Sequence, residues 1–245
     1  MKDEMTPDVA TAKVVSTLDS EYPQVLNELL AGSQLYAIGN VGLLGKKAIS
    51  ICGSRDASAS ALKWAYEFGQ QAAQHGIVVI SGHARGVDRQ AHKGALSAGG
   101  NTIAVLPEGI RHFRLVRELK PLVDFDRNFL AISMFDPDAS WQPWRAMQRN
   151  KLIVGLSLGL FVIEARDRGG TIDAAHEAVR QRKRLWAVAY SKATAGREGN
   201  RKLIATSAIP VKHMGDLKRA LDEAMAQPPV EVGQLVMTLV GESSG

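Results

Sequence analysis

The sequence has a single cysteine, Cys52, set inside an apolar run. Neither a disulfide nor a thiolate metal cage can be built from it, so a reducing compartment is expected. The six histidines are scattered without the spacing of a metal site, and neither a metal nor a cofactor is expected. There is no N-terminal signal pattern and no apolar run long enough to span a bilayer, so a cytoplasmic protein without membrane attachment is expected. Internal repeats and low-complexity tracts are missing too, as is the full G-x-G-x-x-G fingerprint of a dinucleotide site.

What is present is ordinary globular material: 245 residues, 45% hydrophobic and 22% charged, enough for one large domain or a main domain with a small appendage. The formal net charge of +5 is compatible with a polyanionic partner and equally with many soluble enzymes. Its distribution says more. Arg180 to Lys202 holds eight Lys/Arg against one acid, Glu198. Such a segment is either a solvated basic face or part of a track for a phosphate backbone.

Three parts can be distinguished along the chain. Residues 1–45 read as a helical and extended N-terminal segment, in which "EYPQVLNELL" is a short helix and a glycine-rich, loosely extended connection follows. Residues 46–227 form the core, and 228–245 a tail. In the core, apolar runs predict strands at Ala48–Cys52, Ile77–Ile80, Thr102–Leu106, Phe129–Ser133, Leu160–Glu164 and Leu185–Ala189. Near-continuous apolar strands are expected where helices cover both faces of a parallel sheet. Between them "SASALKWAYEFGQQAAQHG" places Leu62, Ala65, Tyr66, Phe68 and Gly69 on roughly one side, with Gly76 as its stop. The repeated strand–helix–strand rhythm predicts an α/β fold: a Rossmann-like open parallel sheet with helices on both faces and a short N-terminal extension.

Ligands of such sheets gather beyond the carboxyl ends of the strands. The loop Gly53-Ser54-Arg55 combines a close-approach glycine, a hydroxyl and a forked cation ahead of a helix N-terminus, an arrangement suited to an anion. Ser81 and Gly82 repeat the pattern after the next strand. Asp88 and His92, spaced i, i+4, read as a cap and a packing contact, since no nucleophile accompanies them. Glu108 follows the third strand, where an acid would repel phosphate. Gly169-Gly170-Thr171 opens another helix in the manner of an anion site, with Asp173 and Glu177 on that helix. In "WQPWRAMQRNKLIVGLS", Trp141 and Trp144 are interleaved with Arg145, Arg149 and Lys151. Rings among cations suit single-stranded nucleic acid, or the tryptophans pack beneath a loop.

Taken in order, "YPQVLNELL…QLYAIGN", "ISICGSRDAS", "VVISGHARGVDRQAHKGALSAGGNTIAVL", "QRNKLIVGLS", "FVIEARDRGGTIDAAHEA" and the Gly199–Ile204 stretch resemble the DNA-processing protein A (DprA/Smf) family over residues 21 to 210. The resemblance implies a Rossmann-like core that binds single-stranded DNA in a basic pocket and acts as a recombination mediator. It also implies loading of RecA recombinase, a homodimer, and no catalytic turnover. Carried over by motif, Gly53, Ser54 and Arg55 hold phosphate beside Ser81, Gly82, Arg85 and Gly86. Arg149, Asn150 and Lys151 match the family's R-N-R element. Trp144 and Arg145, and the Gly169, Gly170 and Thr171 turn, complete the expected DNA-binding set. The family's aromatic–proline pair before R-N-R is here Ala146-Met147, so Trp144 is the expected substitute ring. The family's frequent C-terminal winged helix has no counterpart in the sequence, which reads as a divergent or minimal member. An alternative is a nucleotide-binding protein or a nucleoside-monophosphate hydrolase of the related phosphoribohydrolases, suggested by "RGGTIDAAHE", with Asp173 where the catalytic glutamate stands.

Overall fold

Short apolar runs build the middle of the molecule. The computed structural model describes residues 13–15, 34–191 and 195–226. The expected helix over 21–30 and the tail from 228 lie outside the described residues. Nine strands join in one sheet: β1 (Lys13–Val15), β2 (Leu35–Gly39), β3 (Ala48–Cys52), β4 (Val78–Ser81), β5 (Thr102–Val105), β6 (Phe129–Ser133), β7 (Gly159–Val162), β8 (Arg184–Val188) and β9 (Ile209–Val211). Their spatial order is β1-β2-β6-β5-β4-β3-β7-β8-β9. The run from β6 to β9 is parallel throughout, while β2 joins β6 and β1 joins β2 in antiparallel pairing. The α/β class and the mostly parallel open sheet are therefore as expected. The loosely extended connection at 35–39 is instead a strand, because Tyr36–Gly39 pair with Ser133–Leu130 across the sheet.

The order places the site. From β3 the chain lays β4, β5 and β6 to one side, then returns to lay β7, β8 and β9 on the other. The carboxyl ends of β3 and β7 thus feed loops that leave in opposite directions, opening a crevice at the switch point.

Helices cover both faces. α1 (Ala59–Gln74), α2 (Val87–Ser97) and α6 (Met214–Met225) lie on the face that buries Ile49, Ile51, Phe161 and Trp186. Phe161 and Trp186 stack there at 4.7 Å between ring centroids. α3 (Pro143–Gly155), α4 (Gly170–Arg180) and α5 (Glu198–Thr206) close the other face through Leu152 and Ile153 over Ala48, Val78 and Ile80, and through Ala174, Ala178 and Leu203 over Leu160, Val162 and Ala187. α1 begins at Ser58, whose hydroxyl accepts from the Ala61 N–H, satisfying one of the helix's free donors. The one hydroxyl facing inward on β3, Ser50, bonds the Ser157 hydroxyl and the Gly159 carbonyl, both at 2.9 Å. None of the helices among the described residues is long and apolar enough to cross a membrane.

Two details hold the loop after β4 in place. α1 and α2 cross so closely that a Cβ on Gly94 would sit 2.0 Å from the Tyr66 carbonyl oxygen, and one on Gly69 2.2 Å from that of Ala91. Beneath the loop, His83 is packed among the rings of His92, Phe113 and Phe129 at centroid distances of 5.5, 5.7 and 6.3 Å. Its backbone is left-handed, φ 58°. Burial, aided by the charge of Arg89, pushes the His83 pKa down to about 4.

Gly94→Ala should destabilise the fold by about 1–3 kcal/mol, because backbone rather than a movable side chain occupies the space. Chemical denaturation measures it, and an unchanged midpoint would contradict the close crossing. The His83 imidazole is neutral in the native state, so as pH falls below 6.5 the unfolded chain takes up a proton that the native chain refuses. Stability is lost from pH 6.5 down to about 4, by up to about 3 kcal/mol from this group. Asp88 and Glu108, whose carboxyl pKa values burial raises, act with the opposite sign. The readout is therefore the difference between wild type and His83→Asn, a residue that tolerates the left-handed backbone. The variant should show the shallower loss between pH 7 and pH 4; parallel profiles would contradict the assignment.

Candidate nucleic-acid interface

Four chain segments meet at the switch point. Gly53–Arg55 leaves β3 and is tied to the end of β7 by the Ser54 N–H, which donates to the Glu164 carbonyl at 2.8 Å. The Ser54 hydroxyl accepts from the Asp56 N–H at 3.1 Å, and the Ser54 carbonyl accepts from the first N–H of α2 at 3.3 Å. Gly82 follows β4. α3 contributes Arg149 and Asn150, and the Asn150 amide donates to the Gly170 carbonyl at 3.1 Å, fixing α3 against the start of α4. Together with Gly169, Gly170 and Thr171 these residues border a cleft of about 480 Å³, within the usual range for ligand sites.

Arg149 is the floor of this cleft. It is only 5% exposed, and its guanidinium occupies the space that a side chain on Gly82 would fill: a Cβ there would lie 1.6 Å from Nη1. Glycine at position 82 is thus what admits the cation. Its Nε is buried without a hydrogen-bond partner. Burial lowers the Arg149 pKa, while Asp88 and Glu108 pull it up. Both of those carboxyls have pKa values raised by their own burial, with Arg149 drawing them back. Asp88 also accepts from the Ala84 N–H at 3.2 Å. A buried guanidinium with an unmet donor is costly unless an anion completes it. Arg55, Arg166 and Arg168, all exposed, add charge at the rim.

Six of the residues expected to bind DNA do not border this cleft. Ser81 is fully buried and donates to the Ile51 carbonyl at 2.8 Å. Arg85 and Gly86 border a neighbouring hollow with Arg89, and Arg85 is ion-paired to Asp56. Trp144 stands edge-on to Phe135 at 6.0 Å. The Arg145 guanidinium lies over both rings and donates to the Ser140 carbonyl. Lys151 is exposed, and its carbonyl accepts from Gln181.

Other expectations resolve in the same detail. Asp88 and His92 do not pair: His92 is bonded to the Thr102 hydroxyl in the core. Four of the eight cations in the basic run pair with acids from outside it: Arg180 with Glu177, Arg184 with Glu223, Arg197 with Glu164 and Lys202 with Asp167. Arg166, Arg168, Met147 and Glu164 border the cleft without having been singled out. The signal for Arg166 and Arg168 was available, since both lie in the loop between β7 and α4 that the switch-point rule marks.

Comparison with known proteins places this geometry. The family model of DNA recombination-mediator protein A matches residues 13–222. Protein Smf of Escherichia coli is 33% identical over 201 residues, covering 79% of this chain and 52% of the relative. The X-ray structure of DNA processing protein A from Streptococcus pneumoniae superposes with a TM-score of 0.74 at 30% identity, over 84% of this chain and 73% of that one. DNA processing protein A from Helicobacter pylori, whose structure concerns its single-stranded DNA binding mode, gives 0.74 at 20% identity over 87% and 98%. The chain spans about half to two thirds of the length of the first curated relatives it matches. With every described strand inside the matched span, the chain belongs to the DNA recombination-mediator protein A family.

Proposed function

We propose that this chain binds single-stranded DNA in the switch-point cleft and acts as a recombination mediator that passes the strand to a recombinase of the RecA type. The observation that carries the reading is Arg149, a buried guanidinium at the floor of a cleft rimmed by Arg55, Arg166 and Arg168. A nucleic-acid backbone supplies repeated anions to such a rim, and the Gly53–Arg55 loop offers them the Ser54 hydroxyl and the fork-shaped Arg55 guanidinium. The resemblance to a Helicobacter pylori protein that binds single strands supports the same reading. We further propose a homodimer working in the cytoplasm, the edge strand β9 with its exposed Ile209 being one surface available to a second copy. The hydrolase alternative finds less support. Asp173 borders the cleft, but Glu177, one turn on along α4, is buried and engaged by Arg180 and Gln181, so the two carboxylates of that helix do not face the cleft together.

Anisotropy of labelled oligo-dT across a salt series tests the assignment. Arg149→Ala should weaken binding by about 10- to 100-fold, the range of a hydrogen bond to a charged group. Gly82→Ala should weaken it as well, by displacing the guanidinium. Arg55→Ala should lower the salt slope by about 0.7, one phosphate contact on a single strand. Arg85→Ala, its partner Asp56 already satisfying it, should change least. Thermal denaturation of each variant separates a binding defect from unfolding. Folded Arg149→Ala and Arg55→Ala proteins with wild-type affinity would overturn the pocket.

A further inference from the structure

The cations account for phosphates and leave the bases unplaced. One short stretch, Trp141, Pro143, Ala146 and Met147, supplies much of the cleft's apolar lining, beside Ile51, Ile153 and Ala174. Trp141 is 47% exposed and Met147 50%. Among the described residues, Trp141 has no ring or cation partner, unlike Trp144, which is engaged by Phe135 and Arg145. An indole left open at the edge of a cationic cleft offers a flat face on which a base can stack.

Its neighbourhood is built to hold it there. Arg145, from the first turn of α3, donates to the carbonyl of Ser140, the residue just before Trp141. That same guanidinium lies 5.0 Å from the Trp144 ring and 5.5 Å from the Phe135 ring, so its position is fixed by packing on both sides. Upstream, the Ala139 carbonyl accepts from the Gly109 N–H at 2.8 Å, and Asp138 is ion-paired to Arg111. Downstream, Pro143 starts the helix with its backbone already set. The segment carrying Trp141 is therefore pinned before and after the ring, while the ring itself is left open.

We infer that Trp141 is the base-stacking platform of the cleft, with Met147 as its apolar neighbour and Trp144 and Arg145 as positioning residues that hold the segment. The inference rests on the single-strand reading above and deepens it: the ligand unit is a nucleotide, with phosphate at Arg149 and the base face on the indole. Stacking reads no sequence, because every base offers a π-face, so binding at this position is expected to be indifferent to base identity.

Two oligomers of equal length and charge separate the contributions, oligo-dT and the same backbone with abasic spacers. Trp141→Ala should lose on the order of tenfold in affinity for oligo-dT and almost nothing for the abasic strand, with an unchanged salt slope. Trp141→Phe should keep most of the oligo-dT affinity. It should also lose most of the quenching of intrinsic tryptophan fluorescence that oligo-dT causes in the wild type. If Trp141→Ala binds oligo-dT like the wild type, or weakens both strands equally, the platform is overturned while the DNA reading stands. If the wild type binds neither strand at low salt, the single-strand reading itself fails and takes the platform with it.

Discussion

A guanidinium is hard to bury, and the region around Arg149 is organised by that cost. The side chain projects from α3 into the gap left by Gly82 at the end of β4. Asp88 at the start of α2 and Glu108 after β5 lie near enough to pull its pKa up. The carboxyl ends of two strands and two helices thus converge on one charge. Neither acid hydrogen-bonds it, and burial raises the pKa of both while Arg149 draws them back. The guanidinium is thus held at the floor of the cleft without a hydrogen-bonded ion pair to either acid.

The sheet makes that convergence possible. Reversal of strand order at β3 and β7 separates the loops above them, and the Ser54 N–H to Glu164 carbonyl bond keeps the two strand ends in register. Around this fixed centre the rim is less constrained. Glu164 anchors both the Ser58 backbone N–H and Arg197, and Arg197 lies over the Tyr190 ring at 3.7 Å. The cleft therefore has one wall locked by buried polar bonds and another, from α3, set by packing of Trp144, Arg145 and Phe135.

Much of this was legible from the residues alone. The β3 and β6 runs have the ends their apolar stretches predict, and Gly53–Arg55, Gly82, Arg149, Asn150 and the Gly169–Thr171 turn do meet in one cleft. What was hidden depends on distant partners. β2 sits in a glycine-rich stretch and becomes a strand only by pairing with β6, and β9 is three residues long with a proline in the middle. The basic run after Arg180 looks like a free cationic face until Asp167, Glu177, Glu164 and Glu223 arrive from other elements. The sequence favours Trp144, the ring nearer Arg149, over Trp141; only the structure shows that Phe135 and Arg145 engage Trp144.

The central claim is that the cleft is a site for a single strand, with phosphates on a buried guanidinium. Its most direct test is an equilibrium titration of the wild-type protein with labelled oligo-dT and with its duplex, repeated across a salt series. The account predicts tighter binding of the single strand and an affinity that falls linearly on a log–log plot as salt rises. No binding of oligo-dT at low salt, or equal affinity for strand and duplex, would contradict it.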